Sequence, residues 1–160
     1  MANKEIERKF LVKNDEWRKG ARGKRYRQGY LCAEAERSVR VRVVEDQGFL
    51  TIKGKSSGAV RSEYEYPIPQ SDADALLEEL CAGYIIEKIR YKIDYGGLIW
   101  EIDEFLGDNA GLYLAEVELS SADEMIELPP WVGEEVTGDE HYYNAYLSRK
   151  PYRMWQRKDG

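Results

Sequence analysis

Cysteine is almost missing from this chain. Cys32 and Cys81 are its two cysteines, too few for a disulfide framework and without the neighbouring ligands of a zinc site, so both read as ordinary reduced thiols. Histidine is scarcer still: His141 stands alone in the tail, where a surface or packing role is expected, and it is not paired in sequence with either thiol. No G-x-x-x-x-G-K-[ST] loop, no G-x-G-x-x-G run opening a helix and no G-x-S-x-G elbow occurs, which removes the commonest routes to phosphate chemistry and serine hydrolysis. The opening MANKEIERKF has no apolar signal core, and no apolar run is long enough to span a bilayer. A cytoplasmic protein without membrane contact is the expectation. Excess positive charge is lacking too. A net charge of -6 and an isoelectric point near 5.0 argue against a general nucleic-acid binder, which presents a basic face to phosphates.

What is present is a series of short alternating segments. The 160 residues suit one domain spanning 1–160, with enough length to bury a core. KEIERKFLV (4–12), KRYRQGYLCA (24–33), RSVRVRVVED (37–46), GFLTIKGK (48–55), VRSEYEYPIP (60–69), YIIEKIRYKIDY (84–95), LIWEIDEF (98–105) and LYLAEVELS (112–120) all alternate as strands do. DQG, KSSG, the glycine pair at 96 and 97 and GDNAG supply turns. A helical turn is expected after Asn14 or Asp15. A longer helix, capped by the Ser71 hydroxyl, is expected through DADALLEELC to Gly83, with Leu76, Leu77, Leu80 and Cys81 on its packed face. The tail predicts a short acidic helix before Pro129 and another over about 139–149. The class is α+β, mainly β: about eight antiparallel strands with helices added at the edges.

Charge recurs at every second residue. Glu5, Glu7 and Lys9 alternate on the first strand, and so do Arg40 with Arg42, Glu63 with Glu65, Lys88 with Arg90 and Lys92, Glu101 with Asp103, and Glu116 with Glu118. Half-buried strands routinely alternate polar and apolar residues. A merely wet face mixes in Thr, Ser, Gln and Asn, however, whereas these faces are nearly all full charges, basic on some strands and acidic on others. Like-signed neighbours repel unless an opposite charge sits between them. If the strands close into a barrel, the charged faces point inward and the interior becomes a polar tunnel. Apolar residues such as Val41, Tyr64 and Trp100 then face outward and need cover from helices or from a second copy in a homodimer. Such a lumen needs water, ions and a polyvalent ligand, because isolated buried charges cost many kcal/mol.

Lys9, Arg40, Arg42, Lys53, Lys88 and Arg90 match a polyanion, with the arginine forks suited to bidentate phosphate contacts. Glu5, Glu7, Glu63, Glu65, Asp103, Glu116 and Glu118 match a hard, oxygen-liganded cation, Mg²⁺ or Mn²⁺. Both sets in one cavity point to a metal-bound polyphosphate.

The ordered motifs carry a resemblance. EIERKF, RVR at 40–42, TIKG at 51–54, EYEY at 63–66, EKIRY at 87–91, EID at 101–103, AEVEL at 115–119 and the terminal YYNAYL together resemble the CYTH superfamily, the triphosphate tunnel metalloenzymes, in its short bacterial form. The resemblance implies an eight-stranded antiparallel tunnel that binds a small-molecule triphosphate with a divalent metal. Glu5, Glu7, Glu116 and Glu118 then look like metal ligands, and Lys9, Arg40, Arg42, Lys53, Lys88 and Arg90 like triphosphate ligands. Glu63, Glu65 and Asp103 would position cations, water or a second metal. Lys9, Glu5, Glu7 and Glu116 are the expected catalytic set. Gln28 and Tyr30 share a strand face and can reach the lumen, where Tyr30 is a further expected substrate-binding residue, and the segment with Tyr143, Asn144 and Leu147 resembles the part that closes one end of the tunnel.

Metal-dependent hydrolysis of tripolyphosphate to pyrophosphate and phosphate is the expected activity. A class IV type adenylyl cyclase, a thiamine or nucleoside triphosphatase and a non-catalytic polyphosphate-binding module are the alternatives. The tunnel reading also expects Glu116→Gln to be inactive but folded, with stability near neutral. Arg8, on the outer face, and Lys92 receive no role.

Overall fold

The computed structural model describes residues 4–155. Its strands are β1 (Lys4–Val12), β2 (Gly23–Ala33), β3 (Arg37–Val44), β4 (Gln47–Gly54), β5 (Val60–Ile68), β6 (Ala82–Tyr95), β7 (Leu98–Phe105), β8 (Tyr113–Glu118) and β9 (Val132–Glu135). Two α-helices, α1 (Gln70–Glu79) and α2 (Asn144–Leu147), accompany them. The hydrogen-bonded order β5-β4-β3-β2-β6-β7-β8-β1 is antiparallel, and β1 also pairs with β5. Eight strands therefore close on themselves, which removes the exposed edges that an open sheet would have to protect. At this closing seam β1 divides its pairing. Lys4 to Ile6 face Ser62 to Val60 of β5, while Phe10 and Val12 face Glu135 and Val132 of β9.

Alternation decides which side chains enter the barrel. Glu5, Lys9, Arg40, Lys88, Asp103 and Glu116 are buried inside, whereas Phe10, Val41, Trp100, Ile102, Ala115 and Val117 pack on the outer wall. That outer wall is covered by the chain itself. Trp131 meets Trp100 edge to face with ring centroids 5.7 Å apart, and Phe10 lies 5.6 Å from Trp100. Val41 and Val43 pack under Ala73 and Leu77 of α1. A second copy is thus not needed to cover Val41 or Trp100, whereas Tyr64 is 43% exposed.

The lumen is not charged throughout. Ile86, Phe105, Leu112 and Leu114 continue the inward rows of β6, β7 and β8 beyond Lys88, Asp103 and Glu116, and they join Tyr30, Val136 and Leu147 in one apolar cluster. This cluster fills one end of the barrel, so the sequence-based tunnel is a cup with an apolar floor made partly by the tail.

Several local expectations change. The helical turn after Asn14 is present as a 3₁₀ turn over Glu16–Arg18, where the Asn14 side chain accepts the Glu16 amide. α1 starts at Gln70 behind Pro69, and no side chain caps it, so Ser71 is not the cap. Pro69 brings its own fixed backbone angle to the helix start. The β3–β4 turn is made by Glu45 and Asp46, with φ of 57° at Glu45, instead of by DQG. Gly48 serves packing instead, because a Cβ there would stand 2.8 Å from Ala73 Cβ. No helix forms between β8 and Pro129, and the tail helix is interrupted: a 3₁₀ turn over Glu140–Tyr142, then extended Tyr143, then α2. The strand β9 carries no alternating apolar signal in VGEE and was not expected.

Gly83 ties the tail to the barrel. Its φ is +77°, a Cβ there would lie 2.3 Å from the Ser148 carbonyl oxygen, and the neighbouring Tyr84 amide donates to that oxygen at 2.7 Å. Gly83→Ala should therefore lose about 2 kcal/mol, from left-handed backbone strain plus the clash. The expected readouts are a lower melting midpoint and faster proteolysis after residue 148, and an unchanged protein on both counts would contradict this packing.

Candidate functional site

The inward rows enclose a cavity of about 1010 Å³. Its wall includes Glu5, Glu7, Lys9, Tyr30, Arg40, Arg42, Lys53, Glu63, Glu65, Lys88, Arg90, Glu116 and Glu118, so nearly every residue singled out from the sequence meets here. Asp103 sits just behind the wall. Strand register explains why charges of both signs coexist: Lys9 lies opposite Glu116, Arg90 opposite Asp103, Lys53 opposite Glu63 and Lys92 opposite Glu101.

Asp103 is the anchor of the basic side. It accepts from Lys88 Nζ at 2.8 Å, from Arg90 Nε at 2.7 Å and from Arg90 Nη2 at 2.8 Å, and it is 1% exposed. Burial works to raise its pKa, but Arg90 and Lys88 outweigh burial and hold it well below the usual carboxylate range. Both oxygens of Asp103 are thus engaged by the cations of Lys88 and Arg90. Lys88, fully buried, is pushed down to about 7 by desolvation, Arg90 adding to the effect against the pull of Asp103. Its Nζ also donates to Asn144 Oδ1 at 3.1 Å, which in turn accepts from Gln28 Nε2 at 2.7 Å.

Arg42 is pushed down to about 10 by burial and by the neighbouring guanidiniums of Arg40 and Arg90. Glu65 offsets part of that repulsion, 3.7 Å from Arg40 and 3.3 Å from Arg42. Tyr26 lies beneath this cluster with Arg42, Lys88 and Arg90 at 5.0, 5.9 and 5.3 Å from its ring, within cation–π range. Across the cavity the balance reverses. Glu7 is pushed up to about 8, first by burial and then by the charges of Glu116 and Glu5. Glu118 is raised by burial and by Glu5, Glu63 and Glu101, and Glu63 by burial and Glu5.

Glu116 differs from these neighbours. It pairs with Lys9 at 3.1 Å and with Arg90 at 3.2 Å, and although burial opposes them these cations hold it at about 2. Lys53 pairs with Glu5 at 3.1 Å and with Glu63 at 3.7 Å, without offsetting the burial and the Glu5 charge that raise Glu63. Among the described residues, no three carboxylate, histidine or cysteine side chains are already gathered closely enough to cage a metal ion. The donor set nonetheless fits one. Glu5, Glu7, Glu63, Glu116 and Glu118 are hard oxygen donors that repel one another, and a divalent cation relieves that repulsion.

Some positions behave otherwise than expected. Tyr30 lines the cavity but is built into the apolar floor with Ile86, Phe105 and Leu147. Arg8 has a partner outside the barrel, a two-pronged contact to Glu135 of β9 at 2.9 and 2.7 Å. Glu101 pairs with Arg90 at 3.1 Å. Sequence reasoning passed over Thr51, whose hydroxyl lies between Arg40 at 3.2 Å and Glu65 at 2.9 Å. It also passed over Tyr26 and Arg61, although Tyr26 shares its strand parity with Gln28 and Arg61 shares its parity with Glu63 and Glu65.

A family model described as "CYTH domain" matches residues 3–147. The chain is 50% identical over 153 residues to an inorganic triphosphatase of Acetivibrio thermocellus, covering 96% of this chain and 98% of that protein. It is 37% identical over 149 residues to an inorganic triphosphatase of Nitrosomonas europaea, covering 90% of this chain and 96% of that one. Among solved structures, a crystal structure of an inorganic triphosphatase superposes with a TM-score of 0.63 at 36% identity, covering 90% of this chain and 93% of the other. A closed eight-stranded barrel with charge on its inner face, a family model matching almost end to end and two relatives of near-equal length lead to one assignment: this chain belongs to the CYTH domain family.

Proposed function

We propose that this protein is a divalent-metal-dependent inorganic triphosphatase that hydrolyses tripolyphosphate to pyrophosphate and orthophosphate inside its barrel. The observation that carries the reading is the pair of opposed clusters across one cavity. Arg42 is pushed down to about 10 among Arg40 and Arg90, and Glu7 is pushed up to about 8 among Glu5 and Glu116. Each cluster is disturbed against its own charge, and a polyphosphate carrying a divalent cation relieves both. The activity carried by the names of the two relatives, inorganic triphosphatase, agrees with this.

Lys9, Arg40, Arg42, Lys53, Lys88 and Arg90 grip the phosphoryl oxygens in this reading, the arginines as bidentate forks and the lysines as point charges. Glu5, Glu7, Glu116 and Glu118 would hold Mg²⁺ or Mn²⁺, with Glu63 nearby. The bound cation supplies Lewis-acid charge at the phosphoryl oxygens and a more acidic water. Asp103 and Glu65 fix the directions of the basic residues. Water adds to the terminal phosphorus, the bridging P–O bond breaks, pyrophosphate departs, and the wall cations neutralise the charge that builds on the leaving oxygen. Reduced Cys32 and Cys81 agree with a cytoplasmic setting.

Cyclisation of ATP needs a platform for the base. Tyr143 has Lys9 and Arg61 over its ring at 5.5 and 5.6 Å, Tyr30 is packed in the floor, and Trp131 lies in the outer core against Trp100. Tyr30 and Trp131 are taken up by packing, and Tyr143 already carries two cations against its ring. The test is to incubate the purified protein with tripolyphosphate or ATP, each with Mg²⁺ or Mn²⁺. Tripolyphosphate should yield pyrophosphate and orthophosphate. Cyclic AMP from ATP without phosphate release would overturn the proposal in favour of a cyclase. Tight tripolyphosphate binding with no product would leave a binding module.

A further inference from the structure

Arg61 stands at the closing seam of the barrel and is the exception among its arginines. Arg40 and Arg42 have Glu65, Arg90 has Asp103, Glu101 and Glu116, and Arg149 donates to the Ala33 carbonyl at 2.8 Å. Arg61 also lines the cavity, yet no ion pair or hydrogen bond of its side chain is found among the described residues; its Nε is buried without a partner, as are those of Arg40 and Arg42, whose other nitrogens are engaged. Its register neighbour is Glu5, but that carboxylate turns to Lys53 at 3.1 Å. Glu63, two residues along the same face, also faces Lys53, at 3.7 Å. The remaining contact is aromatic: the guanidinium lies 5.6 Å from the centroid of Tyr143, which has Lys9 at 5.5 Å as well.

A buried donor without an acceptor carries a desolvation cost that an incoming anion removes, and a planar guanidinium backed by an aromatic ring is arranged to give two parallel N–H bonds to an oxyanion. We infer that Arg61 is a further phosphate-binding residue of the lumen, which takes a phosphoryl group of the substrate chain at the β1–β5 seam, with Tyr143 holding the guanidinium in place. The inference rests on the triphosphatase reading and adds to it a residue outside the rows of charge recognised in the sequence.

The test compares Arg61→Gln and Arg61→Lys with the unaltered protein, using tripolyphosphate and Mg²⁺. Arg61→Gln should raise KM about tenfold and lower kcat by a smaller factor, and calorimetric titration of tripolyphosphate should weaken in parallel. Arg61→Lys should fall between, because it keeps the charge and loses the fork. Tyr143→Leu should shift KM in the same direction as Arg61→Gln. Unchanged KM and affinity in both Arg61 variants, with an active parent, would overturn this inference alone. An inactive parent that does not bind tripolyphosphate would instead overturn the triphosphatase reading. If Arg61→Gln does not fold, the Arg61→Lys comparison decides: a KM equal to the parent's counts against the inference, and a raised one supports it.

Discussion

Glu116→Gln should reduce tripolyphosphate hydrolysis by about 10³-fold, the scale seen when one charge-stabilising group of an active site is removed, and it should also destabilise the protein. The sequence led to a different expectation for stability, near neutral, because a row of like charges ought to be relieved by losing one. The structure places Glu116 between Lys9 at 3.1 Å and Arg90 at 3.2 Å, with the residue 8% exposed. Removing one partner of a buried pair leaves its cations uncompensated, which costs about 3 kcal/mol. Since Glu116 is held at about 2, its contribution is present above the unfolded carboxylate pKa and is lost as the pH falls toward 2. Equilibrium unfolding of the two proteins at pH 7 and pH 3 checks this. The gap should be wide at pH 7 and narrower at pH 3, and an equally stable variant at pH 7 would contradict the pairing.

Glu7→Gln is expected to be as damaging to activity and to have the opposite effect on the metal-free fold. Glu7 is pushed up to about 8 by burial and by Glu116 and Glu5. A carboxyl raised in the folded state stabilises fully below its unfolded pKa of about 4.5 and loses that contribution as the pH climbs through 8. The metal-free protein should therefore weaken between about pH 4.5 and pH 8, in the window set by this shift. Glu7→Gln should flatten that decline and, at pH 8, raise stability by roughly 2 kcal/mol, about 5 °C in melting midpoint. Millimolar Mg²⁺ should stabilise the parent more than the variant, because the cation acts on a repulsion that the variant no longer has. Scanning calorimetry with and without Mg²⁺ measures both effects. A variant less stable than its parent at pH 8 without metal would refute the crowding of these carboxylates.

These two substitutions mark where sequence reasoning reached its limit. Glu7 and Glu116 are identical in type, both lie in alternating rows, and both were assigned to the metal. Their opposite electrostatic surroundings follow from register: Lys9 lies opposite Glu116, whereas Glu7 lies opposite Glu118, another carboxylate. Asp103 makes the same point. Alternation put it with the acidic residues, and register gave it Lys88 and Arg90 as partners.

What the sequence determined by itself was the alternation, and with it the strands, their two faces and the identity of nearly all the charged side chains in the lumen. A period of two is a local property of an extended chain, so it can be read from neighbours in sequence. Even the change from charged to apolar along the inward rows, from Lys88 to Ile86, from Asp103 to Phe105 and from Glu116 to Leu114, is written there. Only the tertiary structure decided that those apolar ends meet at one level to form a floor with Leu147. It also decided that β9 closes beside β1, that the tail breaks at Tyr143, and that Arg61 faces an aromatic ring while Glu5 turns to Lys53. Each of these depends on strands far apart in sequence coming to a particular register. A shift of two residues would keep every face as it is and exchange every charge partner.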